Sequence, residues 1–292
     1  MAVKLGIHWF RQDLRLSHNP SIEALSNKVD EIIPIFIFDP KQRIGSVSKL
    51  WLEQSLKKLS EALEKKNGKL NIFIGNPYDV IKSLVLENSI NCFYWNRLYD
   101  PYSINRDKKI KSSLISSKID CETFNGYLLN EPWNIKNKSG TFFKVFTPYW
   151  RYCNEITRNR TFDKKNNKAK FLNTVLTNSK NIKDLKLTDK NMKWINKIYE
   201  NWMPGEKNAQ DQLKNFITNK LNNYSTGRDR PDQNFTSKLS PHLHFGEISP
   251  VQIYKDISSS KKISDQNKSK YLAEIGWRDF SYNLLYHYPH MT

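Results

Sequence analysis

The sequence predicts an α/β fold: a doubly wound, parallel five-stranded sheet within residues 1–130, followed by a long linker and the first part of an all-helical domain. Three observations carry this. Short apolar runs rich in β-branched and aromatic residues alternate with helical patterns up to about residue 126. The alternation then stops, and Arg158–Lys193 is rich in Lys, Asn, Thr and Asp. From Trp202 onward the recognisable patterns are helical.

Strands are expected at Leu5–Phe10, Ile32–Phe38, Leu70–Ile74, Cys92–Trp95 and Cys121–Phe124. Between them, Asn19–Lys28, Ser48–Lys66, Pro77–Asn88 and Tyr102–Lys118 read as helices, with Ser48 and Pro77 suited to helix starts. Parallel strands need crossover connections, so the helices should cover both faces of the sheet. The sheet is Rossmann-like but lacks the G-x-G-x-x-G fingerprint of a dinucleotide site. Residues 131–195 read as an interdomain linker crossing the surface, and 196–292 as a second, helical domain. Its helices are expected at Ala209–Leu221, Pro250–Ser258, capped by Ser249, and Lys268–Tyr288.

The composition narrows the compartment and the partners. No apolar run approaches the roughly 18 residues that a membrane span needs, and Met1-Ala2-Val3-Lys4 leads into a strand, so a cytoplasmic protein is expected. Cys92, Cys121 and Cys153 are odd in number and widely separated, which suits reduced, structural thiols. His242-x-His244 has no third ligand at a recognisable spacing, so no metal is expected there. The formal charge of +18 suggests a polyanionic partner, although an AT-rich genome also enriches lysine. Arginine is more telling: eight of the eleven fall in or beside the motif segments described next, where compositional drift would favour lysine.

The chemistry is concentrated in Tyr224–Pro250, YSTGRDRPDQNFTSKLSPHLHFGEISP. Within it, Thr236, Ser237, Lys238, Leu239 and Ser240 offer backbone N–H groups, three hydroxyls and an ammonium, a donor set for a pyrophosphate at a helix start. Farther on, Glu274, Trp277, Arg278 and Ser281 stand at helical spacing, so a carboxylate, an indole and a guanidinium are expected to look the same way. The bland alternative is an amphipathic helix with a buried indole and a Glu–Arg pair.

These segments resemble the photolyase/cryptochrome family, specifically its class I cyclobutane-dimer DNA photolyases. His8-Trp9-Phe10-Arg11-Gln12-Asp13-Leu14-Arg15 is similar to the family's opening W-F-R-x-D-L-R signature, and Trp95-Asn96-Arg97 before Tyr99-Asp100-Pro101 to its W-N-x-x-Y-E-P element, with Asp100 where Glu is usual. Glu131-Pro132-Trp133 and Lys144–Arg151, KVFTPYWR, match two further motifs in the family's order.

The resemblance implies FAD as cofactor, with Tyr224, Thr236, Ser237, Lys238, Leu239, Ser240, Tyr271 and Arg278 holding it. Tyr271 departs from the indole common in relatives. It implies UV-damaged DNA as partner, with Arg228 and Arg278 on phosphate, Glu274 on the edge of the dimer, Trp277 stacked on it, and Ser281 beside them. Glu274 and Trp277 are the expected catalytic pair. A second, antenna chromophore of folate or deazaflavin type fits the first domain, although ion pairs and turn contacts are the simpler reading of Arg11, Asp13 and Arg15. Family members are longer, so a C-terminally truncated monomer with part of the flavin cradle is expected, its residues 196–292 exposing apolar surface. Light-driven electron transfer splitting pyrimidine dimers is the implied activity. A blue-light photoreceptor without repair activity and an isolated chromophore-binding module remain alternatives.

Overall fold

The structure, a computed structural model, describes residues 3–160, 168–189 and 193–291. The first part alternates as β1 (Leu5–Phe10), α1 (Pro20–Leu25), β2 (Glu31–Phe38), α2 (Ser46–Glu64), β3 (Asn71–Ile74), α3 (Pro77–Glu87), β4 (Ile90–Asn96), α4 (Pro101–Ser116) and β5 (Thr123–Phe124). All the strand pairings are parallel, in the order β3-β2-β1-β4-β5. The chain thus winds outward from β1 in one direction and returns to add β4 on the other side, the doubly wound arrangement expected.

Strand periodicity decides what each face buries. On β2, Ile32 and Phe36 pack with Ile22 and Leu25 of α1 and Leu56, Leu59 and Leu63 of α2. Ile33, Ile35 and Ile37, one residue out of phase, pack with Ile81 and Leu84 of α3 and Ile110 and Leu114 of α4. Both faces are covered, so a one-residue slip would exchange one complete apolar set for the other. Asn76 and Asp100 cap α3 and α4 through their side chains, each followed by proline at the first helical position.

The linker differs from expectation. It contains a helix, α5 (Phe146–Arg158). Beyond it, Ile32 pairs in parallel with Phe171, Ile72 pairs with Lys180, and Phe171, Leu176, Leu185 and Leu187 are buried in the two sheet cores. Large apolar side chains in an otherwise polar segment still gain about 1.5–3 kcal/mol each by burial, enough to draw the segment onto the domain instead of across its surface. Residues 161–167 and 190–192 of the expected linker lie outside the described residues.

The helical part comprises α6 (Ile195–Tyr199), α7 (Glu206–Asn219), α8 (Tyr224–Gly227), α9 (Ser240–His244), α10 (Pro250–Ser258) and α11 (Asp265–His287). Ser249 caps α10 as expected, and Ser264 caps α11, whose first residue, Asp265, lies three residues before the expected start. Their core gathers Leu213 and Phe216, Leu239 and Leu243, Ile253 and Ile257, and Tyr271 and Ile275.

Arg15 fastens this part to the sheet. Fully buried, it donates to the carbonyl oxygens of Gly126 and Gly246 at 2.8 Å and of His18 at 2.9 Å. Gly246 has a φ of +66°, and a Cβ there would lie 1.9 Å from the Gln12 carbonyl oxygen, so only glycine admits this approach. Glu247, also fully buried, accepts from the Gly205 N–H at 2.6 Å and pairs with His242 Nδ1 at 2.5 Å. Cys92, Cys121 and Cys153 are buried free thiols.

Candidate functional site

The loop before α9 presents its donors on a cationic rim. Thr236 and Ser240 are exposed, whereas the Leu239 side chain is wholly buried, leaving only its backbone to the site. Ser237 is held from both sides: its carbonyl accepts from Gln212 Nε2 at 2.8 Å and its hydroxyl from the Leu239 N–H at 3.3 Å. Lys238 adopts a φ of +54° and sets its ammonium 5.6 Å from the Trp202 ring. Lys220, absent from the sequence reading, joins the rim by donating to Asn234 Oδ1 at 3.1 Å. Burial and then the charge of Lys238 hold the Lys220 ammonium below its ordinary range. Two ammoniums that disfavour each other beside exposed hydroxyls suit an anion. Nothing in the local sequence signals Lys220, because it enters from the end of α7.

Behind the loop stands an aromatic wall. Tyr224 and Tyr271 meet edge to face at 5.1 Å and both pack on Phe216. Burial pushes the Tyr224 hydroxyl up to about 12, and pushes Tyr271 up as well against the opposing hydrogen bond with Ser237. Both phenols are therefore neutral at any physiological pH.

The stripe on α11 does not look one way. Glu274 pairs with Arg228 of the α8 end, a hydrogen bond that is also the main reason the Arg228 guanidinium is raised. Arg228 lies 5.7 Å from the Tyr224 ring, so the pair closes one side of the aromatic wall. Trp277 turns toward α5, where Phe146 stacks on it at 3.6 Å and 11°. It remains 45% exposed, with its outer face open. Arg278 turns the third way: it donates to Tyr127 O at 2.7 Å and Leu243 O at 3.4 Å, with its guanidinium 4.1 Å from the Tyr127 ring. Ser281 is exposed and donates to Trp277 O at 2.9 Å, within its own helix. Glu274, with its partner Arg228, and Trp277 stand three residues apart, neighbours along one side of α11, whereas Arg278 anchors the helix to the loop after β5.

Asp279 completes that anchor. Its Oδ2 accepts from the Asn130 N–H at 2.9 Å, and burial pushes its carboxyl up to about 7 despite the opposing Arg278.

At the carboxyl ends of β1 and β2, a cavity of about 230 Å³ is lined by Trp9, Arg11, Phe36, Asp39 and Arg106. Both guanidiniums sit over the Trp9 ring, at 4.6 and 5.1 Å. A second cavity of about 180 Å³ lies between Trp95, Lys108, Trp133 and Tyr286. Inside the sheet, His8 bridges Ser21 at 2.9 Å and Asp13 at 3.4 Å, a constellation like a nucleophile relay, but each member is at most 2% exposed and no substrate reaches it. Asp13 also accepts from the Arg11 N–H at 2.7 Å and Asn96 Nδ2 at 2.6 Å. Burial alone would raise its carboxyl; the His8 hydrogen bond and charge, with those two donors, lower it to about 2. Arg15 and Asp13 are therefore structural.

This architecture is a known one. The DNA photolyase family model matches residues 6–168. A deoxyribodipyrimidine photo-lyase of Agrobacterium fabrum is 35% identical over 98% of this chain and 60% of its own length. A bacterial class III photolyase structure from Agrobacterium tumefaciens superposes with a TM-score of 0.91 at 34% identity, covering 99% of this chain and 60% of that one. An archaeal photolyase from Sulfolobus tokodaii, titled as holding two FAD molecules, gives 0.77 at 27% identity, covering 98% and 60%. The chain belongs to the DNA photolyase family and spans about 60% of the length of these relatives. Of these three relatives, one is titled a class III photolyase and the other two carry no class in their names. Among the described residues, no helix is long and apolar enough to cross a membrane.

Proposed function

We propose that this chain carries the photolyase-type half-site for FAD and damaged DNA, and that its activity is light-driven splitting of cyclobutane pyrimidine dimers. The observation that carries the reading is the joining of a cationic, hydroxyl-bearing loop, a buried tyrosine wall and the Arg228–Glu274 and Trp277 rim. The donor set fits FAD: Lys220, Lys238 and the hydroxyls of Thr236 and Ser240 would hold its pyrophosphate, with Tyr224 and Tyr271 forming an apolar wall. Reduced FAD supplies the electron on absorbing light.

The protein's own part is orientation. Phe146 covers the inner face of Trp277, so a flipped pyrimidine would have the outer face to stack on. Arg228 holds the Glu274 carboxylate toward that rim and itself offers a cation to a flanking phosphate. Arg278 positions the helix. The cavity beside Trp9 and Arg106 is the proposed place for a folate or deazaflavin antenna, since its aromatic and cationic walls suit a flat anionic chromophore.

The test is reconstitution with FAD, followed by illumination of DNA carrying cyclobutane dimers. Bound flavin with light-dependent dimer loss supports the reading. Flavin that stays free, or binding without dimer loss, overturns the enzymatic part of it.

A further inference from the structure

The groove between α5, α10 and the first turns of α11 has no role in the site described. It has a volume of about 600 Å³, within the range of roughly 300–1,000 Å³ typical of small-molecule sites. Among the described residues, Arg158 and Arg160 line the groove from the end of α5, Lys255 from α10 and Lys268 from α11, with Asp265 paired to Lys268 at 3.4 Å. Arg160 is set in place by donating to Leu129 O at 2.8 Å and Asn130 Oδ1 at 2.9 Å. The hydroxyls of Ser258, Ser259 and Ser269 line it as well, beside Asn154 and the Tyr254 hydroxyl that donates to it.

One wall is an indole. Trp150 lines the groove and is held against Gly276, where a Cβ would lie 2.3 Å from its ring. Glycine at that position lets the ring lie flat on the helix. The groove is also distinct from the rim above: Leu272, on the groove side, and Glu274 are two residues apart on α11 and so point about 200° from each other.

Four cations from three elements, a set of hydroxyls and a positioned indole form a constellation for phosphate plus a flat base. We propose that this groove binds a nucleotide, its phosphates on Arg158, Arg160, Lys255 and Lys268 and its base against Trp150. The same chemistry is presented by a free nucleoside polyphosphate and by a nucleotide unit of a nucleic-acid strand. The inference is independent of the proposed repair activity.

The experiment is fluorescence anisotropy of a labelled ATP analogue titrated with the 292-residue chain at low salt, with unlabelled ATP, inorganic pyrophosphate and an undamaged oligodeoxynucleotide as competitors. The double variant Arg158→Ala/Lys268→Ala should weaken binding about tenfold or more, as expected for two lost charge-assisted contacts. Arg228→Ala and Lys238→Ala, which alter the rim and the flavin loop, should leave it within about twofold, as expected for sites without shared contacts. Competition by the oligonucleotide identifies a strand as the source, and competition by ATP alone a free nucleotide; both support the proposal. Binding lost in Lys238→Ala but kept in the double variant, pyrophosphate competing as well as ATP, or no binding at all would overturn it.

Discussion

Phe146 of α5 and Trp277 of α11 lie with ring centroids 3.6 Å apart and planes 11° from parallel. The contact fixes which face of the indole is open and joins the two helices at the rim. Stacked aromatic pairs contribute about 0.5–1.5 kcal/mol beyond their burial. A double-mutant cycle with Phe146→Ala and Trp277→Ala should return a coupling of that size in urea denaturation. A coupling indistinguishable from zero would mean that the stack does not hold Trp277.

Asp279 makes stability depend on pH near neutrality. Its folded value of about 7 lies above the unfolded carboxylate's, so between about pH 4 and 7 the folded state holds a proton that the unfolded chain has lost. Stability therefore falls as pH rises through this window, by up to about 4 kcal/mol at roughly 1.4 kcal/mol per unit. Urea midpoints should be higher at pH 5 than at pH 8, and Asp279→Asn should lose most of the difference. An unchanged pH profile in the variant would refute the assignment.

Asp13 acts in the opposite sense. Its carboxyl, at about 2, lies below the unfolded value, so the stability it contributes is present above about pH 4 and is lost as pH falls toward 2. Asp13→Asn should be destabilised at pH 7 yet lose less than the parent on acidification. Parallel acid titrations of the two proteins, followed by circular dichroism, decide the matter.

Much of this was legible in the sequence, for physical reasons. The five strands were found because each face of the sheet is apolar, which leaves continuous β-branched runs. In the Thr236–Ser240 loop, the exposure of Thr236 and Ser240 and the burial of Leu239 depend on packing that the local sequence does not carry. Helix α5 is not among the expected elements, although it is strongly two-sided and Tyr149, Cys153 and Thr157 repeat at its buried face. Phe171-Leu172 and Val175-Leu176 are two short apolar pairs in a polar segment, too brief to distinguish a strand from a loop that packs on the sheet. Helical spacing fixes the side of α11 that Arg278 occupies but carries no sign of the Tyr127 and Leu243 carbonyls that meet it.

Gly246 is a sharp test of the seam. A left-handed backbone costs a residue with a Cβ about 1–2 kcal/mol, and the collision with the Gln12 carbonyl adds to it. Gly246→Ala should therefore lower stability by more than about 2 kcal/mol in urea denaturation. A midpoint equal to the parent's would show that the seam yields easily.

Lys238 should matter to the pyrophosphate and not to the ring system. Lys238→Gln is expected to weaken FAD about tenfold, the loss of one charge-assisted contact, while leaving riboflavin unchanged. Equal weakening of both ligands in fluorescence titrations would place the lysine elsewhere in the cradle.

The guanidinium of Arg15 has consequences for the order of assembly. Its acceptors at His18, Gly126 and Gly246 are contributed by segments up to 231 positions away in the chain. A sheet that closed early around Arg15 would strand a desolvated cation, so the sheet alone is a poor resting point on the way to the native state. The α/β layer and the helices should then lock together late and melt in one transition, even though each has its own hydrophobic core.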